Sequence, residues 1–227
     1  MFEWFARVGG VDADLSWQPS LWGGGAAVEV DVGFHGLVRH ELGSGAWVDV
    51  VPGWLRGADE LFVRLLRDTP WGHREVRMYE HILPEPRLTH RWSVEEGLPE
   101  PVLHKMAAAL TDRYHPDLAG AEFTQVGANL YRDGADSVAW HGDRVAREMP
   151  RALVGLVSLG GVRPFRLRPH GGGASVGFLP GPGDLLVMGG SCQRTWQHSV
   201  PKVRAAPPRI SVQFRHAYER SSRQRPP

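Results

Sequence analysis

Residues 152 to 190 read ALVGLVSLGGVRPFRLRPHGGGASVGFLPGPGDLLVMGG, and this stretch decides the fold class. Short apolar or alternating runs are separated by the turn sequences HGGG and PGPG, and no helical spacing of apolar residues lies between them. The same texture extends outward, from FTQVGANLY at 123–131 to RISVQFR at 209–215. Many short, evenly spaced strands without crossover helices predict a closed antiparallel barrel or jelly roll.

The chain before residue 120 has a different texture. AAVEVDVGFHGLVRHEL and GAWVDVVP alternate like strands. Apolar residues then fall at helical spacing and predict a helix from about 57 to 68, followed by a second helix that enters through PEPV and closes at HPD. We therefore predict an α+β, mainly β, fold in one globular domain, divided into an N-terminal arm (1–25), an N-terminal extension with two helices (26–120), a β core (121–216) and a basic tail (217–227).

Bulk composition excludes several classes of protein. A chain of 227 residues with 42% hydrophobic content can bury a sizeable core. Its 26 basic and 25 acidic residues nearly cancel, so any basic surface for nucleic acid has to be local. Cys192 is the only cysteine, the first residues do not resemble a signal peptide, and no apolar run approaches the about 20 residues that span a bilayer. We expect a cytoplasmic monomer with no membrane partner.

A candidate metal clamp lies in the stretch DSVAWHGD. Because side chains alternate across a strand, His141 and Asp143 point to the same face and can hold one ion together. A chain with 11 histidines also contains His-x-Asp by chance, and HPD at 115–117 is a second example. There the proline and the helix end make a paired projection unfavourable, so we assign His115 to the surface.

His198, in the predicted strand TWQHSV, is the candidate third ligand. Two histidines and one carboxylate form a facial triad that leaves positions on Fe(II) open for a bidentate cosubstrate and dioxygen. Zinc hydrolysis would accept the same ligands, so the triad alone does not fix the metal. The alternative for His198 is a core histidine beside Trp196.

The strand RISVQFR adds a pair of arginines. Arg209 and Arg215 are six residues apart and share a face, while Ile210, Val212 and Phe214 occupy the other. Arginines that point into a barrel need an anionic partner, and the guanidinium fork suits a carboxylate. A dicarboxylate such as 2-oxoglutarate would chelate iron at one end and meet an arginine at the other. The alternative is an edge strand with both arginines in water.

Six blocks between about residue 84 and residue 215 resemble, in order, the AlkB family of Fe(II)- and 2-oxoglutarate-dependent dioxygenases. They are PRLTHRW, NLYRDGADSVAWHGD, SLGGVRPFRLR, GDLLVMGG, WQHSVPK and RISVQFR. The resemblance implies a double-stranded β-helix core of the jelly-roll or cupin-like type. It also implies that iron is held by His141, Asp143 and His198, and that 2-oxoglutarate is held by Asn129, Tyr131, Arg209 and Arg215.

The resemblance further implies the reaction. Dioxygen and 2-oxoglutarate would yield succinate, carbon dioxide and an oxidant that hydroxylates an N-alkyl carbon on a damaged base. The hydroxylated carbon then leaves as formaldehyde. We expect direct-reversal repair of DNA bases such as 1-methyladenine or 3-methylcytosine. One alternative is the same chemistry on RNA, such as a tRNA, or on protein. Another is a zinc hydrolase or a metal-binding barrel without turnover.

A base must leave its stack to reach a buried metal, so such an enzyme needs ring surfaces around its pocket and basic groups for the backbone. The candidates for a nucleotide-recognition lid and for phosphate contacts are Tyr79, His90, Trp92, Arg144, Arg163, Arg166 and Arg168. Core packing is the alternative for Trp92. Two departures from the family leave the base preference open. Val145 stands where many members carry a carboxylate, and PRLTHRW lacks the aromatic-glycine pair that often follows this start.

Overall fold

The computed structural model describes residues 4–8, 11–17, 27–78, 81–118, 121–143, 149 and 151–216. Within these residues the chain forms sixteen strands and three helices. In order they are β1 (Trp4–Val8), β2 (Val11–Trp17), β3 (Glu29–Val30), β4 (Val38–Gly43), β5 (Ala46–Val51), β6 (Leu55–Arg56), α1 (Ala58–Asp68), β7 (Gly72–Met78), β8 (His81–Ser93), α2 (Pro101–Leu118), β9 (Gln125–Tyr131), β10 (Val138–His141), β11 (Val154–Gly160), β12 (Phe165–Pro169), β13 (Val176–Phe178), β14 (Leu185–Gly190), α3 (Cys192–Thr195), β15 (Trp196–Val200) and β16 (Arg209–Arg215).

Two antiparallel sheets form the body of the protein. The major sheet has eight strands in the order β4-β5-β14-β11-β16-β9-β8-β7, and the minor sheet has four in the order β10-β15-β12-β13. Strands from the predicted N-terminal extension therefore flank the strands of the predicted core in one sheet. Two short antiparallel pairs, β1-β2 and β3-β6, complete the described architecture.

The central strands of the major sheet are buried on both faces. On one face it packs against α1 and α2, and on the other against the minor sheet, because side chains alternate along each strand. In β11, Val157 and Leu159 face the helices, whereas Val154 and Leu156 face the minor sheet. A Cβ at Gly155 would lie 3.1 Å from the Leu110 side chain, so α2 approaches the sheet closely there. Burial on both faces explains why this strand is apolar throughout.

The mainly β jelly-roll fold predicted from the sequence is confirmed. Each run predicted as a strand from β9 to β16 is a strand, and α1 begins within a residue or two of its predicted position. The second helix, α2, ends at Leu118, one residue past the predicted close at HPD, and it includes Pro116. The stretch 26–42 is also less regular than predicted. The Asp31 carboxylate accepts bonds from the N–H groups of Gly33 and His35 at 3.1 and 2.6 Å, and this turn separates β3 from β4.

The N-terminal arm contains regular structure that the sequence analysis did not predict, since β1 and β2 pair as antiparallel strands. The basic tail lies outside the described residues. Among the helices that the structure describes, none combines the length and apolar character needed to cross a bilayer.

Candidate active site

The three predicted metal ligands converge. His141 of β10 and His198 of β15 are opposite each other in the antiparallel register, and their ring centroids are 4.2 Å apart. Asp143 follows β10 by two residues, and the candidate ligand atoms of the three side chains all lie within 4.8 Å of one another. The chain thus brings two imidazoles and one carboxylate to a single point, which is the ligand set of a facial triad.

A β-bulge aims His141 at this point. The register of β10 against β15 shifts between Val138 and His141, so one extra residue lies in β10. Within the bulge, the Nδ1 of His141 donates to the Ala139 carbonyl oxygen at 2.9 Å. A hydrogen bond of this kind fixes the tautomer and leaves Nε2 with its lone pair toward the metal position.

The charge states of the other two ligands also suit a divalent cation. Burial and the neighbouring His141 lower the pKa of His198 to about 3, so its ring is neutral at neutral pH. Burial alone would raise the pKa of Asp143, but the Arg215 guanidinium, followed by smaller contributions from the two neighbouring histidines, lowers it to about 2. The carboxylate is therefore ionised, and both groups are in the protonation state that binds metal.

Arg215 directly contacts the carboxylate of Asp143, one of the three candidate metal ligands. Its Nη2 lies 3.2 Å from Oδ1 and 3.5 Å from Oδ2 of Asp143. From the other side, the Gln193 Oε1 accepts the backbone N–H of Asp143 at 3.4 Å. The resemblance assigned Arg215 to 2-oxoglutarate, and that role stays a prediction. The observed contact makes Arg215 a positioning residue for Asp143.

Arg209 is a buried cation with unused donors. Its side chain has no exposed surface, its Nε donates to the Ser158 Oγ at 2.9 Å, and neither Nη1 nor Nη2 has a hydrogen-bond partner among the described residues. Burial lowers its pKa to about 10, so it remains charged at neutral pH. A buried guanidinium with two free amino groups is an incomplete arrangement, and one carboxylate would complete it.

Two further predicted residues lie on the same face as Arg209. Tyr131 is opposite Arg209 in the register of β9 and β16, and its ring centroid is 5.5 Å from the guanidinium carbon. Burial raises the pKa of Tyr131, so its hydroxyl keeps its proton. Asn129 lies two residues earlier, opposite Ser211 and Thr89, and is half-buried. Asn129, Tyr131 and Arg209 thus share the inner face of the major sheet.

Sequence reasoning missed two features of this face. Ser158 is the only polar side chain in the apolar strand VGLVSLG, and this interruption was the available signal. Arg87 lies in a register irregularity of β8, is buried, and forms an ion pair with Glu85 at 2.8 Å. Its charge is among those that lower the pKa of His198.

Several predicted substrate residues lie elsewhere. His90 and Trp92 oppose Ala128 and Val126, which face the helices, and Trp92 packs against that core. The two rings contact each other, with centroids 4.7 Å apart. Their placement does not support a lid role at the metal, and for Trp92 it matches the packing alternative.

Arg163 does not meet the expectation of a phosphate contact. It is fully buried, and its terminal nitrogens donate to the carbonyl oxygens of Asp133, Asp136 and Pro201 at 2.6 to 2.8 Å. Its amino groups are therefore occupied by a loop. Arg166 and Arg168 instead project from the outward face of the minor sheet, on β12. The remaining predicted residues, Tyr79, Arg144 and Val145, lie outside the described residues.

Comparison with known proteins agrees with this geometry. The family model of the 2OG-Fe(II) oxygenase superfamily matches residues 49–223. Alpha-ketoglutarate-dependent dioxygenase alkB homolog 3 of Bos taurus is 32% identical over 190 residues, covering 75% of this chain and 66% of that protein. The Homo sapiens homolog 3 is 30% identical with the same coverage. The chain thus spans just under two thirds of the length of these relatives.

A third relative and two solved structures extend the comparison. DNA oxidative demethylase ALKBH2 of Arabidopsis thaliana is 31% identical over 130 residues, covering 47% of this chain and 41% of that protein. The structure of OsALKBH1 superposes with a TM-score of 0.54 at 12% identity, covering 79% of this chain and 100% of that chain. A Pseudomonas putida prolyl-4-hydroxylase gives 0.53 at 16% identity, with 75% and 93% covered. At these identities the two structures show a shared fold.

Proposed function

The chain belongs to the 2OG-Fe(II) oxygenase superfamily, and on that premise we propose that it is an Fe(II)- and 2-oxoglutarate-dependent dioxygenase that dealkylates N-alkylated bases in DNA. The products would be the repaired base, formaldehyde, succinate and carbon dioxide. Support for a nucleic-acid substrate comes from relatives named as alkB homolog 3 and as a DNA oxidative demethylase.

The observation that carries the proposal is the Arg209 guanidinium, whose Nη1 and Nη2 have no hydrogen-bond partner among the residues that the structure describes. A zinc hydrolase built on His141, Asp143 and His198 has no need for a fully buried arginine with two free amino groups. A dicarboxylate cosubstrate does need one, because its distal carboxylate must be held away from the metal. The alternative with both arginines in water is not met, since Arg209 is buried and Arg215 contacts Asp143.

Each described residue then has a definite task. His141, Asp143 and His198 would hold the metal, which when bound supplies the activation of dioxygen together with 2-oxoglutarate. Arg215 keeps the Asp143 carboxylate ionised and oriented. Arg209 would bind the distal carboxylate, and Ser158 fixes its guanidinium through Nε.

Tyr131 and Asn129 provide the remaining polar groups of the cosubstrate pocket. The Tyr131 hydroxyl keeps its proton because burial raises its pKa, so it can donate a hydrogen bond to a carboxylate. Asn129 is half-buried on the same strand face and offers an amide that both donates and accepts. Apolar neighbours on the minor sheet, including Phe165 and Leu167, exclude water from this side of the pocket.

The proposal is tested with a panel of methylated oligonucleotides, single- and double-stranded, DNA and RNA, supplied with Fe(II) and 2-oxoglutarate. We expect formaldehyde and succinate in equal amounts and a matching loss of base mass, with DNA preferred. The matched control is Asp143→Ala, which removes one metal ligand and should abolish both products. Preference for RNA would select the RNA alternative. Succinate without any change of base across the panel would reject a nucleic-acid substrate.

A further inference from the structure

The outward face of the minor sheet carries a row of side chains that the candidate active site does not use. Trp140 of β10, Gln197 of β15 and Arg168 of β12 lie side by side across three adjacent strands. The guanidinium carbon of Arg168 is 4.3 Å from the Trp140 ring centroid. Its Nε and Nη2 donate to the Gln197 Oε1 at 3.3 and 3.2 Å. Arg168 is therefore held in place by an aromatic ring and an amide before any ligand arrives.

This row carries positive charge. Among the described residues, no carboxylate forms an ion pair with Arg168 or with Arg166, two residues earlier on the same face. Arg166 is exposed, and so is Arg194 in α3, which precedes β15. A fixed, planar cation beside an indole and a second free arginine suit a ligand that offers both negative charge and flat rings.

The row begins where the metal ligands are. Trp140 immediately precedes His141, and because side chains alternate along a strand, the two point to opposite faces of the sheet. β10 is the edge strand of the minor sheet, so a chain leaving the metal site can pass around this edge onto the outward face. His170 lies at the same edge, with its Nε2 3.6 Å from where a Cβ on Gly142 would be.

We propose that this outward face, formed by Trp140, Gln197, Arg168 and Arg166, binds the single-stranded nucleotides that flank the target base. Arg166 and Arg168 contact phosphates, and one flanking base stacks on the guanidinium plane that Trp140 and Gln197 hold. The inference rests on the proposed function, because flanking nucleotides exist only if the substrate is a nucleic acid. A single strand is the occupant because its bases are free to stack on a protein surface, whereas bases in a duplex are not.

Binding is measured first, without relying on turnover. The full chain is loaded with Fe(II) and 2-oxoglutarate under anaerobic conditions, and its affinity for a dye-labelled oligothymidine of about 15 nucleotides is read by fluorescence anisotropy. Arg168→Ala should weaken binding about tenfold, because it removes both a phosphate contact and a stacking surface. Arg168→Lys, which keeps the charge but not the plane, should lose about threefold. Arg168→Ala and Arg166→Ala should each lower the slope of log affinity against log salt concentration by about 1.

The matched control is Arg56→Ala. Arg56 is an exposed arginine on β6 that pairs with Glu29, outside both sheets. Its removal should change the oligonucleotide affinity less than twofold, and melting temperatures of all variants confirm that they are folded. If Arg168→Ala and Arg166→Ala bind the oligonucleotide as the wild type does, or if the wild type does not bind it, the inference is wrong. Equal competition by a polyglutamate peptide would show an unspecific anion surface and would also overturn it.

Turnover then separates this inference from the proposed function. With methylated oligonucleotides of increasing length, the wild-type KM should fall as nucleotides are added, and Arg168→Ala should remove most of that dependence. If Arg168→Ala demethylates with the same length dependence as the wild type, nucleotide binding at the outward face is refuted and the proposed dealkylase function still stands. Arg168-dependent binding without demethylation of any oligonucleotide refutes the dealkylase but leaves the outward face as a nucleic-acid surface.

Discussion

Replacing Arg209 by methionine separates a cosubstrate-binding arginine from a structural one. Arg209 is fully buried and donates from Nε to Ser158, while its Nη1 and Nη2 have no partner within the described part of the chain. Methionine has a similar length and no charge, so it fills much of the space without requiring a partner. We therefore expect Arg209→Met to stabilise the protein when 2-oxoglutarate is absent and to abolish the stabilisation that 2-oxoglutarate brings.

The expected magnitude follows from the burial of the charge. Burial lowers the pKa of Arg209 from 12.5 to about 10, and at about 1.4 kcal/mol per pKa unit this corresponds to about 3 kcal/mol against the charged form. Loss of the bond to Ser158 offsets about 1 kcal/mol of this. A net gain of about 2 kcal/mol in a chain of this size raises the melting temperature by about 4 to 8 °C.

The assay is thermal unfolding of wild type and Arg209→Met, each with Mn(II) in place of Fe(II) and with or without saturating 2-oxoglutarate. At a ligand concentration about 100 times Kd, the wild type should gain about 2.7 kcal/mol from 2-oxoglutarate, and the variant should gain nothing. Arg209→Lys serves as a control that keeps a charge but lacks the fork. A variant that is destabilised by more than about 2 kcal/mol and still responds to 2-oxoglutarate would refute the assignment of Arg209 to the cosubstrate.

Three further outcomes follow from described contacts. Ser158→Ala frees the Nε of Arg209, so the KM for 2-oxoglutarate should rise about fivefold with kcat unchanged; an equal loss in kcat would speak against a positioning role. Arg163→Met removes the donors to three loop carbonyls, so urea unfolding should show a loss of about 3 kcal/mol, with no change in the salt slope of oligonucleotide binding. His198 has a folded-state pKa of about 3 against an ordinary value of 6.5, so protons favour the unfolded state below about pH 6.5. The free energy of unfolding of the metal-free protein, measured by urea titration, should therefore fall by about 2 kcal/mol between pH 7 and 5. In His198→Gln this pH dependence should be weaker.

The fold from β9 to β16 was predictable because its strands are short, apolar or alternating, and separated by glycine- and proline-rich turns. Other parts were not. Strand β8 contains Pro86 and pairs irregularly with β7, so its sequence lacks a clean alternation. Helix α2 runs through Pro116 because the missing hydrogen bond falls in the last turn, where the Asp112 carbonyl is near water.

Within the site, the sequence predicted side chains whose position depends only on alternation along one strand. His141 and Asp143 were predicted to share a side in this way, and the structure brings them together although β10 ends at His141. Side chains whose position depends on the register between strands were harder to predict, because a register shift of one residue moves every side chain of a strand to the opposite face of the sheet. Trp92 faces the helices since β8 aligns it with Val126, and nothing in PRLTHRW reveals that alignment. The contact between Arg215 and Asp143 joins positions 72 residues apart and likewise needed the fold.

The most direct test of the central claim is to measure, without oxygen, how much Fe(II) and how much 2-oxoglutarate the protein binds when a residue of each binding site is replaced. Equilibrium dialysis of wild type, His198→Ala and Arg209→Met gives the amount of each ligand bound per chain. We predict one Fe(II) and one 2-oxoglutarate in the wild type, neither at the same concentrations in His198→Ala, and Fe(II) without 2-oxoglutarate in Arg209→Met. Fe(II) bound equally by wild type and His198→Ala, or 2-oxoglutarate bound equally by wild type and Arg209→Met, would contradict the assigned site.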